Sequence, residues 1–490
     1  MRKILPFLML LVALFSVFGY GCDKKTERTT YEITCELTGN LLTGTETVVF
    51  YNFTDNAFSE LKFNLFGNAF RKDAAFSPVS RQYAAKAYPH GASYGEMSVS
   101  AVRGKTSERG KDAFTELEFE ICGQDLNVLS VKLPTEIFPR ETVAITIDFS
   151  LTLADVIART GVNDSTINLA NFYPVLCGIE NDAFYECVYY ANGDPFFSDC
   201  ADYRVTLSAS ADYVTAATGA VVSSELKKDK RVNVYKAENV RSFAFVLSKD
   251  FEAITDSSAG TEITYYYYKD ENPAKSLKTA VEAVKFFSES FGKYPYPTFS
   301  VVQTKFIQGG MEFPRIVFIS DELDDKAYAE VIVHETAHQW WQSVVGNNEV
   351  KYGFLDEGLA EYSVVNFYEK HPDYGYSRET LVKSAEQTYK TFCSVYDKLF
   401  GKVNTAMLRD LSEFNSEYEY VNVAYVKPTI MYDCLRATLG DARFFKGLRR
   451  YYEDFAFKNA APADLVASFN KVGADTEGFF EGFFNGKAII

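Results

Sequence analysis

The sequence His334-Glu335-Thr336-Ala337-His338 constrains this chain more than any other stretch of it. Residues four apart lie one turn above each other on the same face of an α-helix, so both imidazoles point at one spot with Glu335 beside them. That spot suits a zinc ion, with Glu335 as the general base of a hydrolytic reaction. A hydrolytic zinc site takes three protein ligands and keeps a fourth position open. Glu357, separated from His338 by 18 residues, is the candidate third ligand. Five-residue motifs of this kind also arise by chance, but several features argue for a metal here. The chain holds only four histidines, two of them at ligand spacing. Apolar residues recur at helical intervals over 325–345, which predicts a mostly buried helix. Histidine and glutamate buried there are costly without a metal to bind. The stretch around Glu357 is also helix-like, so its carboxylate can face the first helix.

Composition narrows the partners. A length of 490 residues allows two or three domains, each with its own core. Aromatic residues make up 16% of the chain, which favours β-structure and aromatic-lined clefts. A net charge of −16 argues against a nucleic-acid or anionic-membrane-surface role, since either needs a basic patch. The first 21 residues read as an export signal: Arg2 and Lys3, an apolar run over 4–18, then Gly19-Tyr20-Gly21 before Cys22. This resembles a bacterial lipoprotein signal, with Gly19 where such signals carry Leu, and implies an exported protein lipidated on Cys22 and so held at a membrane; an ordinary cleaved signal is the alternative. An apolar run of 15 residues is short for a spanning helix. Residues 22–30 read as a polar tether. The seven other cysteines form no CxxC pair, so buried free thiols are expected rather than a structural zinc knuckle.

From 31 to 252 the chain is strand-rich and alternating, as at 46–53, 60–65, 114–121, 142–151, 185–190, 203–209 and 243–247. Turn residues punctuate these runs, which predicts an all-β, sandwich-like domain. Inside it, Gly91-Ala92-Ser93-Tyr94-Gly95 matches the GxSxG of a nucleophile elbow, with His90 adjacent. An elbow needs a buried strand before the serine and a helix after it. Pro89 interrupts the first and 97–102 reads as the next strand, so a loop is expected. Texture changes near Ser257-Ser258-Ala259-Gly260, and 253–490 is assigned to a second domain. There 264–268 and 299–306 read as strands, and 274–291 as an amphipathic helix closed by Gly292. Gln308-Gly309-Gly310-Met311-Glu312-Phe313-Pro314 follows, before an apolar run at 316–319. The Gly-Gly break and the proline predict an edge strand, which can hold a peptide by backbone pairing. Glu312 then either projects beside the substrate, where it could hold a free amino terminus, or is an exposed loop carboxylate. The acidic cluster Asp321-Glu322-Leu323-Asp324-Asp325 reads as capping of the motif helix. Beyond Glu357 the chain is largely helical, and Tyr425-Val426-Lys427-Pro428 opens one helix. A tyrosine there can aim its hydroxyl at an oxyanion, but spacing alone does not single it out among 33 tyrosines.

The HETAH motif, FLDEGLAEY after the 18-residue gap, and GGMEFP before both resemble the membrane alanyl aminopeptidase family of gluzincin metallopeptidases, which includes leukotriene hydrolase. The resemblance covers most of 31–490. It implies one zinc ion per chain on His334, His338 and Glu357, with Glu335 as the base. It makes Gly309, Gly310, Met311 and Glu312 the substrate-binding segment, whose glutamate recognises the α-amino group. The family's catalytic tyrosine precedes x-Lys-Gly at a helix start, which selects Tyr425. Phe313 and Asp356 stand where many members have Asn, and Pro428 replaces the Gly after Lys427. Val364 stands where many carry a carboxylate seven residues past the glutamate ligand; Glu361, one turn after Glu357, is the candidate to orient a histidine instead. Only 65 residues follow Tyr425, so the large C-terminal helical domain of many members is not expected. The cleft is then expected to be more open, or capped by a partner.

The sequence therefore predicts a multidomain α+β chain: an N-terminal all-β sandwich-like domain, then a thermolysin-like α/β zinc peptidase domain. The expected function is zinc-dependent hydrolysis of N-terminal residues from peptides. An endopeptidase or other zinc hydrolase on the same fold is one alternative. A non-catalytic surface-binding protein with a relic site is the other. Side-chain preference and oligomeric state correspond to no readable spacing.

Overall fold

The computed structural model describes residues 27–108, 111–473 and 475–488, so Cys22 and the expected export signal lie outside the described residues. Alternation builds the first half. Thr30–Thr38 buries Tyr31, Ile33, Cys35 and Leu37 and turns the residues between them outward, the period-two pattern of a half-buried strand. It pairs antiparallel with Leu41–Tyr51 and parallel with Ala201–Ser210. These lie inside an eight-stranded sheet whose order from edge to edge is Ala220–Lys227, Lys230–Val240, Ala201–Ser210, Thr30–Thr38, Leu41–Tyr51, Thr142–Thr152, Glu96–Glu108 and Lys111–Glu116. Two four-stranded sheets pack on its buried face. Ring pairs such as Phe50–Phe58 at 6.0 Å and Tyr235–Phe245 at 5.1 Å cross between the layers.

Two strand expectations in this half are corrected. The run 114–121 is two strands, Lys111–Glu116 and Phe119–Cys122, which belong to different sheets. The chain changes layer at Leu117, whose N–H donates to the Val102 carbonyl. Residues 185–190 are irregular. There the Cys187 N–H donates to the Asn64 side chain instead of to the backbone of a neighbouring strand. Gly91–Gly95 is a loop in which the Ser93 hydroxyl accepts from the Asp155 N–H.

From Glu252 to Ser320 the strands belong to a separate five-stranded sheet, ordered Glu252–Ser258, Thr261–Tyr267, Thr298–Thr304, Ile316–Ser320 and Gly310–Met311. Ile316–Ser320 is buried at every position, as a strand covered on both faces must be. Gly310–Met311 forms the edge, antiparallel to it. The helix Pro273–Ser290 starts with a proline whose missing N–H costs nothing there. It buries Leu277, Ala280, Ala283, Val284 and Phe287 along one stripe and packs on the motif helix, Asp325–Ala337. Asp324 caps that helix by accepting from the N–H groups of Lys326 and Ala327.

The motif helix is shorter than the predicted 325–345. His338 is its last turn, after which the carbonyls of Gln342 and Val344 accept from the buried Arg241 rather than from a further helical turn. Val345–Gly346 then pairs with Lys458–Asn459. Further helices follow at Phe354–Lys370, Arg378–Phe400, Lys427–Leu439, Asp441–Phe455 and Glu477–Phe484. No described helix is long and apolar enough to cross a membrane. All seven described cysteines are free thiols, but only Cys35, Cys177 and Cys187 are buried and Cys434 is exposed.

Candidate active site

Two helices meet at one cleft of about 250 Å³. The motif helix presents His334, Glu335 and His338, while the helix Phe354–Lys370 presents Glu357. The second of these helices also lies close against the helix Lys427–Leu439, because Gly358 has no side chain: a Cβ there would run into Pro428. His334 Nε2 and His338 Nε2 lie 3.0 Å apart, and Glu357 Oε2 lies 3.3 and 3.1 Å from them. The outward nitrogens fix the tautomers. His338 Nδ1 donates to the Trp341 carbonyl at 3.2 Å, and His334 Nδ1 to Glu361 Oε2 at 3.1 Å. Both acceptors lack a proton, so each Nδ1 carries the hydrogen and both Nε2 lone pairs face inward. Two imidazole lone pairs and a carboxylate oxygen aimed at one point form a donor set for a cation, at separations that fit a shared sphere of roughly 2.0–2.2 Å bonds. The residues fit zinc.

The Glu361 contact answers the missing carboxylate at Val364. Such partners raise a ligand's basicity and hold its ring, and their loss weakens metal binding. The substitution Glu361→Gln is expected to weaken zinc affinity roughly 10–100-fold, measured by competition with a chelator. An unchanged affinity would show that the contact does not orient His334.

Glu335 is 5% exposed, and its Oε2 has no partner among the described groups. Burial is the largest influence on its carboxyl and carries it up to about 7, against the pull of His334 and His338. Gly310 on the edge strand faces it, and a Cβ at that position would occupy the space of the Glu335 carboxylate. Burial pushes Glu357 up too, but the flanking imidazoles of His338 and His334 outweigh it and hold that carboxyl low.

Of the predicted substrate segment, Gly309, Gly310 and Glu312 line the cleft. Met311 does not. Its side chain is buried, with its sulfur accepting from Arg159 Nε at 3.0 Å. Glu312 is not an exposed loop carboxylate: it is 3% exposed, and its Oε1 has no hydrogen-bond partner among the described groups. Burial first, then the neighbouring Asp194, pushes its carboxyl well above the usual range. Tyr425 also reaches the cleft, donating its hydroxyl to Glu357 Oε1, with its ring parallel to that of His334. It stands in a π-helical turn, Asn422–Val426, that runs into the helix Lys427–Leu439, rather than at a simple helix start.

Sequence reasoning missed Asp194 and Arg159, which form a buried ion pair and line the same cleft from the β-rich half. No local pattern marks them, because they lie more than a hundred residues before the motif. Glu330, Glu361, Glu417 and Tyr420 also line the cleft.

Comparison with known proteins agrees with this architecture. Residues 275–483 match the Peptidase family M1 domain. Aminopeptidase N of Lactococcus lactis subsp. lactis is 26% identical over 286 residues, which are 53% of this chain and 32% of that protein. Leukotriene A-4 hydrolase of Xenopus laevis is 24% identical over 248 residues, 49% of this chain and 40% of that protein. The matched stretch thus spans about a third to two fifths of the length of these curated relatives. The crystal structure of an M1 zinc metallopeptidase from Deinococcus radiodurans superposes with a TM-score of 0.66 at 16% identity, covering 95% of each chain. The fold is therefore a β-rich unit followed by an α/β unit, and it is within this second unit that residues 275–483 match the Peptidase family M1 domain.

Proposed function

We propose that the chain is a zinc-dependent aminopeptidase that hydrolyses N-terminal residues from peptides. The observation that carries this reading is Glu312, a buried carboxylate with an unpartnered oxygen, in the same cleft as Glu335 and the His334–His338–Glu357 donor set. Zinc held by those three residues would supply Lewis-acid polarisation of the scissile carbonyl. Glu335 takes a proton from the attacking water and delivers it to the leaving amine. The Tyr425 hydroxyl, already in the cleft, donates to the oxyanion as it forms. Glu312 holds the α-ammonium group, which sets the distance from the free amino end to the bond that is cut. The edge strand Gly310–Met311 offers backbone pairing for the extended peptide. A mutant of the Deinococcus radiodurans metallopeptidase is bound to Tyr-Ser-Ala substrate, and a mutant two-domain M1 zinc metallopeptidase to L-arginine and to L-tryptophan, which supports peptide ends as the substrate class here.

The test compares one peptide series with free and with acetylated N-termini, using zinc-loaded protein that starts after Cys22. Cleavage of free ends alone is expected. Equal cleavage of both would make the enzyme an endopeptidase, and cleavage of neither, with zinc bound, would favour a binding protein.

The same proposal divides the chain into an export signal (1–21), a tether (22–30), a β-domain (31–252) and a catalytic domain (253–490). Lipid on Cys22 would hold the protein at a bacterial cell surface. In a bacterial host the full chain is expected in the membrane fraction and the Cys22→Ser chain outside it; identical fractionation would remove the anchor.

A further inference from the structure

Lys427 is fully buried, yet no carboxylate pairs with its ammonium group among the described residues. Nζ instead donates to two backbone carbonyls, Thr405 at 2.5 Å and Phe483 at 2.8 Å. Phe483 belongs to the last turn of the helix Glu477–Phe484, where the helix dipole favours a cation. A buried ammonium is costly, and burial draws this one down to about 8. The chain tolerates that cost at the point where three segments meet. The loop carrying Thr405 is itself tied to the C-terminal helix: Thr405 Oγ1 donates to the Gly486 carbonyl at 3.1 Å, and the Met407 N–H to the Phe484 carbonyl at 2.8 Å.

What this junction steadies is the π-helical turn immediately before it, Asn422–Val426, which carries Tyr425. Such turns are rare, and this one is followed by Pro428, which has no N–H to close a helical hydrogen bond back onto it. A support from outside the helix is therefore needed. We propose that Lys427 is a positioning residue: by docking on the Thr405 and Phe483 carbonyls it fixes the π-helical turn so that the Tyr425 hydroxyl stays over the cleft. The C-terminal helix Glu477–Phe484 then belongs to the catalytic apparatus without touching substrate. This inference rests on the reading of Tyr425 as the oxyanion donor.

The experiment is a double-mutant cycle on the best substrate of the free-amino series, with zinc content and thermal unfolding recorded for every variant. Tyr425→Phe should lower kcat roughly 10²–10³-fold. Lys427→Met should lower kcat about 10–100-fold, with KM within about twofold and zinc retained, because misplacing a catalytic group by an ångström is enough for such a loss. Lys427→Arg should recover most of it. Should Lys427→Met not fold, Gly486→Ala perturbs the same junction without touching Lys427. Gly486 has φ +69°, and its added Cβ would lie 2.7 Å from the Ala406 nitrogen and 2.8 Å from Thr405 Oγ1. In the Tyr425→Phe background, both Lys427→Met and Gly486→Ala should change kcat by less than about twofold. Effects that multiply with Tyr425→Phe, or a loss carried by KM alone, would overturn the positioning role while leaving the tyrosine assignment standing. A Tyr425→Phe enzyme with full kcat would instead remove the tyrosine assignment, and this role with it.

Discussion

Replacing Glu335 by glutamine is expected to leave zinc bound and to lower turnover by roughly 10²–10⁴-fold, a barrier increase of about 3–5 kcal/mol. Glutamine keeps the size and one oxygen of the side chain but cannot accept and then return a proton. The change is selective because Glu335 is not among the three converging donors; its carboxylate lies toward Gly310 on the edge strand. Metal analysis of the purified variant should therefore match the parent while single-turnover hydrolysis collapses. Turnover within a few-fold of the parent, at equal zinc content, would mean that another group moves the proton.

The second large effect is expected at Glu312. Removing one partner of a buried charge pair costs about 2–5 kcal/mol, which is roughly 30-fold to several thousand-fold in kcat/KM. Glu312→Gln should show that loss on peptides with free amino ends and little change on acetylated ones, so the two rates converge. Zinc content again serves as the control, because Glu312 offers an oxygen within 4.8 Å of His338 and Glu335 donor atoms. A variant that kept the parent's preference for free ends would place the amino-group anchor elsewhere in the cleft, with the buried Asp194 as the first residue to examine.

How far the site could be read from the sequence follows from where its parts are encoded. His334, Glu335 and His338 lie on consecutive turns of one helix, and helical geometry alone brings them together. Glu357 follows on the next long helix, and Glu361 lies one turn beyond it, so both were within reach of periodicity. The edge strand at Gly310–Met311 was legible because glycines and a proline are strong punctuation. Met311 was misread because a strand alternates faces, and the residue between Gly310 and Glu312 must turn away from the cleft. The early end of the motif helix was not legible, since it depends on Arg241, about a hundred residues upstream, taking the carbonyls of Gln342 and Val344. Asp194 and Arg159 were invisible for the same reason: contacts of long sequence separation leave no local period.

That last pair bears on how a cleft of this kind can diversify. Arg159 and Asp194 reach the cleft from the β-rich half, and Arg159 also grips the sulfur of Met311 beside Glu312. The metal donors all come from the other half. Part of the cleft wall is thus written in a different stretch of the polypeptide from the metal donors, so on the proposed reading exchanging the loops around 159 and 194 is expected to retune which peptides are accepted while the donor set is inherited intact.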